Sequence, residues 1–316
     1  MTENMYQEQE RFATHETAWC PGCGNFSILA CAAQVLRESD LDPHNVVLAA
    51  GIGQASKQPQ YIRANSFCGL HGRSMPVAQA IALSNPELTV IVDGGDGDIY
   101  GEGGNHFMHS IRRNVNLTLI VHDNQVYGLT KGQSSPTSLD GYVTGVQVDG
   151  NQNTPMNPLA VAIAAGAGFV ARSFTGDQEQ LKALMKTAIE YKGFALIDVM
   201  QPCVTFNKVN TFQWYKERCY HLEDDYDPTD KVKAFERAQE FGDKIPTGIL
   251  YYNEKPDYYA RNPVLQKIKR LTDVSVEDRV AVTHSLMDQF NVGAKVSQSK
   301  EPAGQGKEGD ENKPEN

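Results

Sequence analysis

The sequence lacks the features of membrane and exported proteins. No stretch approaches the ~18 consecutive apolar residues of a membrane-spanning helix, and residues 1–10 are polar and acidic, without the apolar segment of a secretory signal. We therefore expect a cytoplasmic protein. An excess of basic residues is also missing, since 29 Lys and Arg stand against 39 Asp and Glu, a formal net charge of −10. That charge disfavours binding to nucleic acid and to anionic membrane surfaces.

Cysteine is scarce, with six residues in a chain of 316. A chain of this length can bury a large core without disulfide bonds. Without an export signal, the cysteines are expected to be metal ligands or buried thiols rather than a disulfide framework.

Short runs rich in Val, Ile and Leu recur at 46–48, 88–92, 117–121 and 195–199. Continuous apolar runs of this kind are typical of strands buried on both faces of a parallel sheet. Helical patterns lie at 25–38, where Cys31 falls on an apolar stripe, and at 178–191. The alternation predicts an α/β fold with a doubly wound, mostly parallel sheet that binds its ligand at the carboxyl ends of the strands.

This alternation stops after Cys203, which divides the chain into three parts. We expect a cofactor-binding domain at 1–205 and a C-terminal extension at 206–296, with one clear helix at 230–240, that packs on the core or on a partner subunit. The segment 297–316 is almost entirely polar. Because it can bury little apolar surface, we expect a disordered tail.

The first candidate site follows two of the predicted strands. The sequence GGDGD at 94–98 ends one strand, and HDNQVYG at 122–128 ends the next. The two ends open on the same sheet edge, so Asp96 and Asn124 could reach one Mg²⁺ whose remaining ligands come from a diphosphate. The glycine-rich stretch 101–105 then begins a helix, whose amino terminus favours phosphate. A Gly/Asp cluster after a strand is, by itself, more often a tight turn.

The second candidate site is WCPGCGN at 19–25, in which Cys20 and Cys23 precede a helix. A thioredoxin-like redox pair usually follows a strand, and none is predicted here. A structural zinc site needs a second close cysteine pair, whereas Cys203 and Cys219 are sixteen residues apart. A four-iron cluster, whose thiolates can be distant in sequence, fits best.

Together these segments resemble the β subunit of the 2-oxoacid:ferredoxin oxidoreductases over about residues 15–260. GDG at 95–97 with the pair Asp123-Asn124 resembles a thiamine-diphosphate motif, whose closing pair is usually Asn-Asn. The similar segments are WCPGCGN at 19–25, GIG at 51–53, LHGR at 70–73, GGDGD at 94–98, YGLTKGQ at 127–133, QPCVT at 201–205 and YKER at 215–218.

The resemblance implies a thiamine-diphosphate-binding fold with one [4Fe-4S] cluster, and it assigns roles to matching positions. Cys20, Cys23 and Cys203 would be cluster ligands. Asp96, Asn124 and the Val126 carbonyl would hold Mg²⁺. The thiamine diphosphate would be lined by Ile52, Gly53, Gln54, Ala55, His71, Gly95, Asp96, Gly97, Asp98, Asn124, Gly128, Leu129 and Thr130.

One position departs from the family pattern. The family commonly has its remaining cluster cysteine directly after Gly-Ile-Gly, where this sequence has Gln54. Glutamine is a poor ligand for iron in a sulfide cluster, so either the cluster is incomplete or another thiol serves. Our hypothesis is that Cys68, three residues before His71, is the fourth ligand. The alternative is that Cys68 is a small buried hydrophobic residue.

Three further residues are candidates for catalysis. His71 would contact the cofactor, although a lone histidine is often only part of a turn or core. Lys57 and Lys131 follow cofactor-lining loops and could pair with substrate carboxylates, although exposed lysines are usually only solvated. At the position of Lys131 this sequence resembles the 2-oxoglutarate or broad-substrate enzymes of the family. Pyruvate-dedicated members tend to have glycine there.

The resemblance implies coenzyme A-dependent oxidative decarboxylation of a 2-oxo acid, with 2-oxoglutarate giving succinyl-CoA, and electron transfer through the cluster to ferredoxin. The reverse reductive carboxylation is also implied. The partners would be an α subunit, in an αβ or (αβ)₂ assembly, and ferredoxin. The α subunit would supply the carboxylate that faces the cofactor aminopyrimidine. Three alternatives remain: a pyruvate or broad-substrate enzyme, a non-oxidative thiamine-dependent decarboxylase, and a non-enzymatic metal-stabilised electron carrier or interaction module.

Overall fold

The computed structural model describes residues 11–267, 270 and 273–290. The chain divides into two units, residues 1–269 and 270–316. The second unit contains one described helix, Val276–Phe290. The tail predicted at 297–316 lies outside the described residues, and the domain boundaries at 205 and 296 remain predictions.

Within the described residues, eight strands form a single sheet in the first unit. In chain order they are β1 (Val46–Ala50), β2 (Asn65–Cys68), β3 (Thr89–Gly95), β4 (Leu117–Asp123), β5 (Phe169–Phe174), β6 (Phe194–Met200), β7 (Cys219–His221) and β8 (Ile245–Tyr252). Their order in the sheet is β2-β1-β3-β4-β6-β5-β8-β7. The first six are parallel to one another, and β8 is antiparallel to β5.

Nine α-helices lie within the described residues. They are α1 (Asn25–Glu38), α2 (Ser74–Ser84), α3 (Gly104–Arg113), α4 (Pro158–Ala164), α5 (Gln178–Glu190), α6 (Phe212–Arg218), α7 (Lys231–Gln239) and α8 (Pro263–Lys267), with Val276–Phe290 as α9. Four of them, α2 to α5, connect the parallel strands. Short 3₁₀ turns lie at Pro43–Asn45 and Ala55–Gln60, and a π-helical turn at Gly97–Glu102 precedes α3. Among the helices the structure describes, none is long and apolar enough to cross a membrane.

The sheet buries apolar side chains on both faces. Along β3, Val90 and Val92 belong to one core, which includes residues of α2, α3 and α4, while Ile91 belongs to the other, which includes residues of α1 and α5. Successive side chains of a strand point to opposite faces, so an unbroken apolar run requires a covering layer on each side. This arrangement confirms the predicted doubly wound, mostly parallel α/β fold.

The predicted strands at 46–48, 88–92, 117–121 and 195–199 are confirmed as β1, β3, β4 and β6, to within a few residues at each end. The helix over 25–38 is confirmed, and its Cys31 is buried. The apolar pattern of the sequence does not predict β2, β5 and β8, for local reasons. Arg172 and Ser173 interrupt the apolar run of β5, β8 contains Pro246 and Gly248, and β2 is a short, exposed edge strand.

Gly72 has the most restrictive backbone position near the predicted site. Its φ is +70°, and a Cβ atom there would lie 2.4 Å from the main-chain carbon of Glu102. Gly104, at the start of α3, offers a contrast, because a Cβ atom there would meet no neighbouring atom within 4 Å.

We expect Gly72→Ala to lower the free energy of unfolding by about 2–5 kcal/mol, because left-handed strain and overpacking add. Chemical denaturation measures the change. The matched variant Gly104→Ala should be neutral or stabilising by up to ~1 kcal/mol. Equal effects of the two alanines would show that the close approach of Gly72 to Glu102 is not required.

Candidate active site

The carboxyl ends of β3 and β4 bring two aspartates together. Gly95 pairs with His122 in the register of these strands, so Asp96 and Asp123 lie side by side. Both are buried. Asp96 Oδ2 accepts hydrogen bonds from Ser135 Oγ at 2.5 Å and Thr137 Oγ1 at 2.6 Å, and Thr137 Oγ1 lies 2.9 Å from Asp123 Oδ1. Neither hydroxyl residue is expected here from the sequence, although Ser135 and Thr137 closely follow the YGLTKGQ motif.

Burial is the main cause of altered acidity at this pair. Desolvation raises the pKa of Asp96 and raises that of Asp123 well above its usual value, with the nearby Asp198 and Asp96 charges adding to the effect on Asp123. A buried pair of carboxylates is stabilised by a proton or by a cation bound beside it. The chemistry of the pair therefore fits a divalent cation.

The other predicted Mg²⁺ ligands follow β4 directly. Asn124 is half-buried, and its Oδ1 accepts a hydrogen bond from the Val126 amide at 3.1 Å. Gln125 has a φ of +58°, which bends the chain sharply between them. In the described part of the chain, no group of three or more His, Cys, Asp or Glu residues could hold a metal ion. The predicted Mg²⁺ ligands are of a different kind, because only Asp96 among them is one of these four residue types, while Asn124 would bind through its amide and Val126 through its backbone carbonyl.

Asp98 joins three segments that the family resemblance assigns to the cofactor. Its Oδ1 accepts hydrogen bonds from the Ile52 amide at 3.0 Å and the Gly72 amide at 2.8 Å, and lies 2.6 Å from His71 Nδ1. The loops after β1 and β2 are therefore attached to the turn after β3. This contact brings predicted residues Ile52, His71 and Asp98 into one cluster.

Glu102 and Tyr127 extend this cluster outward. His71 Nε2 lies 3.5 Å from Glu102 Oε2, and Tyr127 Oη donates to the same oxygen at 3.1 Å. Burial, and secondly the Glu102 charge, raise the pKa of Tyr127. Neither Glu102 nor Tyr127 has a role predicted from the sequence. Tyr127 begins the quoted YGLTKGQ motif and Glu102 lies in the glycine-rich stretch 101–105, but only the fold shows that they meet.

Three of the predicted cluster cysteines, Cys20, Cys23 and Cys203, lie in the same region, although among the described residues no three cysteines form a group that could hold a metal ion. Cys23 is half-buried, and its amide donates to the Cys20 carbonyl at 3.0 Å. Burial raises the pKa of the Cys23 thiol to about 11, and the nearby Cys203 and Cys20 make smaller contributions in the same direction. A Cβ atom on Gly128 would lie 3.9 Å from Cys203 Sγ, so this thiol adjoins a predicted cofactor loop.

Gln54 and Cys68 occupy different positions around the loop after β1. The Gln54 carbonyl accepts a hydrogen bond from Trp19 Nε1 at 2.8 Å, which ties it to the residue before Cys20, and Gln54 Oε1 is buried without a hydrogen-bond partner. Cys68 is exposed at the end of β2, and its thiol donates to the Gly51 carbonyl at 3.2 Å. The alternative that Cys68 is a buried hydrophobic residue is wrong. That Cys68 binds iron stays a prediction.

The two predicted substrate lysines lie on separate loops. Lys57 is half-buried in the 3₁₀ turn after β1, while Lys131 is exposed and has a φ of +78°. A left-handed lysine is uncommon and strained, and such outliers cluster at functional sites. The neighbouring Leu129 is 42% exposed and Ile52 is 38% exposed, so apolar surface also lies at this edge.

A cavity of about 200 Å³ reaches Asp123 of the buried pair, and its largely apolar lining also includes Gln125, Arg172 and Asp198. Tyr100 Oη donates to Asp198 Oδ2 at 2.6 Å. Burial raises the pKa of Asp198 to about 6, against the opposing effects of the Tyr100 hydrogen bond and the Arg172 charge. Arg172, Asp198 and Gln125 are almost fully buried.

Comparison with known proteins identifies the class of this fold. Residues 44–199 match the family model described as "Thiamine pyrophosphate enzyme, C-terminal TPP binding domain". Residues 203–267 match the model for the carboxyl-terminal part of the pyruvate ferredoxin oxidoreductase beta subunit. The chain thus has the fold of a thiamine-diphosphate enzyme domain.

Relatives define the family more closely. The chain is 48% identical over 256 residues to the 2-oxoacid:ferredoxin oxidoreductase subunit beta of Saccharolobus solfataricus, covering 77% of this chain and 84% of that protein. It is 33% identical over 273 residues to the 2-oxoglutarate synthase subunit KorB of Methanocaldococcus jannaschii, covering 84% and 97%. The chain belongs to the β subunits of the 2-oxoacid:ferredoxin oxidoreductases.

A solved structure shows the same architecture. The 2-oxoglutarate:ferredoxin oxidoreductase from Magnetococcus marinus, with 2-oxoglutarate, coenzyme A and succinyl-CoA bound, superposes with a TM-score of 0.81 at 34% identity. The match covers 89% of this chain and 97% of that chain.

The charges around the cavity predict a pH-dependent stability. Replacing Arg172 by methionine removes a positive charge that acts on Asp198 and the guanidinium hydrogen bonds to the Glu240 and Ala238 carbonyls, which should lower the free energy of unfolding by about 2 kcal/mol near pH 7. The pKa of Asp198 is raised in the folded state from 3.8 to about 6. The stabilising contribution of its proton is therefore lost as the pH rises through this range. Without Arg172 this loss extends above pH 6, and the deficit relative to the wild type should grow.

Denaturation curves between pH 5 and 8 measure this effect. The double variant Arg172→Met/Asp198→Asn removes the carboxylate as well, so it should recover the part of the lost stability that comes from Asp198 and abolish the added pH dependence. If the single and double variants were equally unstable at every pH, the assignment of an electrostatic role to Arg172 would be incorrect.

Proposed function

We propose that this chain contributes half of the active site of a coenzyme A-dependent 2-oxo acid oxidoreductase, with 2-oxoglutarate as the substrate and succinyl-CoA and CO₂ as the products. The observation that carries the proposal is the convergence at one sheet edge. Asp96 and Asn124 follow adjacent strands there, and Gly128 of the adjoining loop lies beside Cys203. A cofactor held at this edge would lie next to the thiols.

The residues present fit thiamine diphosphate with Mg²⁺. Asp96, Asn124 and the Val126 carbonyl would hold the cation, since Mg²⁺ typically uses one or two carboxylates together with ligand phosphates. The thiamine ring supplies an electron sink for decarboxylation. The predicted lining residues Ile52 and His71 meet at Asp98, which supports their assignment to the same ligand.

The donor chemistry supports an iron-sulfur centre, because Cys20 and Cys203 lie close enough to Cys23 for their charges to affect its thiol. We propose Cys68 as the fourth ligand of a [4Fe-4S] cluster. Its hydrogen bond to Gly51 puts it beside the loop that leads to Gln54, the position where the family has cysteine. The reaction would then pass its electrons through the cluster to ferredoxin.

The chain's own side chains would orient the reaction and exclude water. Asp98 fixes His71 through Nδ1, so that Nε2 faces Glu102 at the outer part of the site. In this assignment His71 contacts the cofactor, and the half-exposed Glu102 and Tyr127 mark the side that remains open. An α subunit would close this side and supply the carboxylate that faces the aminopyrimidine.

The exposed positive charge of Lys131 favours a dicarboxylate as the substrate. Its exposed cation could pair with the carboxylate that 2-oxoglutarate has in addition to the one it shares with pyruvate, with Lys57 as a second candidate. The strained backbone of Lys131 favours a functional role, since glycine would adopt φ +78° without cost. The names of several relatives also include 2-oxoglutarate.

Co-expression with an α subunit tests the proposal. The purified complex should contain thiamine, iron and acid-labile sulfide, and it should reduce a dye only when coenzyme A and a 2-oxo acid are present. Thiamine without iron would instead indicate the non-oxidative decarboxylase. Metal without thiamine would indicate the electron carrier.

Lys131→Gly in the same complex addresses the substrate. We expect kcat/KM for 2-oxoglutarate to fall by at least about tenfold relative to that for pyruvate, equivalent to ~1.4 kcal/mol of transition-state binding. Thermal stability should be unchanged or higher, because the left-handed strain is relieved. An unchanged ratio of the two kcat/KM values would contradict the assignment.

Cys68→Ser tests the fourth cluster ligand. If Cys68 binds iron, the variant should lose iron and the brown absorbance, whereas Cys219→Ser, at a half-buried thiol with no proposed ligand role, should keep both. Iron content and absorbance unchanged in Cys68→Ser would mean that the cluster does not use this thiol.

A further inference from the structure

Asn25 makes a buried junction between three parts of the chain. It is the first residue of α1 and is 1% exposed. Its side-chain oxygen accepts hydrogen bonds from His122 Nδ1 at 3.0 Å and Gln201 Nε2 at 2.8 Å. Both donors are also buried. Neither the family assignment nor the proposed reaction gives these residues a role.

The junction joins the two cysteine segments. Asn25 lies two residues after Cys23, and Gln201 lies two residues before Cys203. Asn25 therefore belongs to the segment of one thiol and holds the segment of another thiol through its side chain.

Gly24 shows how close this contact is. A Cβ atom on Gly24 would lie 2.7 Å from Gln201 Cβ, so only glycine allows the two segments to approach this closely. The Gln201 amide in turn donates to the Asp123 carbonyl at 3.0 Å, which attaches the second segment to the end of β4. The relative position of Cys23 and Cys203 is thus set by protein contacts.

The same network continues towards the loop after β1. His122 Nε2 lies 3.6 Å from Asp93 Oδ1, which also accepts a hydrogen bond from Gln58 Nε2 at 2.7 Å. Gln58 belongs to the 3₁₀ turn that directly follows Gln54.

We propose that Asn25 and Gln201 are positioning residues for the iron-sulfur site, which hold the Cys20–Cys23 loop against the Cys203 segment and so control retention of the cluster and its electronic properties. This inference depends on the cluster of the proposed function. Hydrogen bonds to the sulfurs and the surroundings of the ligands are known to tune such centres. A merely structural network would affect folding stability alone.

The test uses Asn25→Leu and Gln201→Met, which nearly preserve shape and remove the amides, in the complex with the α subunit. Gln79→Met is the matched control, because Gln79 is also a buried glutamine and donates to Ser110 Oγ at 2.9 Å from α2. The readouts are iron release to a chelator and the electron paramagnetic resonance spectrum of the reduced cluster.

We expect both site variants to release iron at least about tenfold faster than the wild type and to shift the spectrum. Gln79→Met should lose thermal stability but match the wild type in both measurements. Site variants that lose only thermal stability, with wild-type iron release and spectrum, would overturn the proposal. If Asn25→Leu does not fold, Gln201→Met provides the test alone.

Failure of the proposed function can be distinguished from failure of this inference. If the wild-type complex contains no iron, the cluster assignment is wrong. Whether Asn25 and Gln201 hold the two cysteine segments together is then tested on the metal-free protein. Iodoacetamide should then alkylate Cys23 faster in Gln201→Met than in the wild type, with buried Cys31 as the internal reference. Equal rates would reject the positioning role.

Discussion

The parallel pairing of β3 with β4 is the constraint on which the site depends. Because Gly95 lies opposite His122, the next residues of both strands emerge together at one edge, and two carboxylates become neighbours in a buried setting. Desolvation of this pair is costly. The hydroxyl groups of Ser135 and Thr137 donate hydrogen bonds that offset part of this desolvation cost for Asp96. A bound cation would neutralise the negative charge of the pair.

A parallel sheet draws its edge loops from distant parts of the chain, so these loops need anchors other than their neighbours. Two side chains serve this purpose. Asp98 attaches the loops after β1 and β2 to the turn after β3, and Asn25 attaches the start of α1 to the ends of β4 and β6. Each is buried and has more than one hydrogen-bond partner, which fixes the loop geometry.

Buried and exposed charged residues lie in different parts of this sheet edge. Aspartates and Arg172 lie inside around the cavity, where burial changes their acidity, whereas Lys131 and the apolar Leu129 are exposed. The chain belongs to a family of β subunits, whose name implies an α subunit.

The sequence by itself determined the layer architecture, because unbroken apolar runs such as 117–121 can be stable only between two covering layers. It also determined that Asp96 and Asn124 share an edge, since both directly follow parallel strands. It could not reveal the meeting of His71, Glu102 and Tyr127, or of Asn25, His122 and Gln201, because these residues are separated by up to 176 positions. Only the tertiary structure decided those contacts, since hydrogen bonds between distant segments depend on strand order and loop paths that no local pattern records.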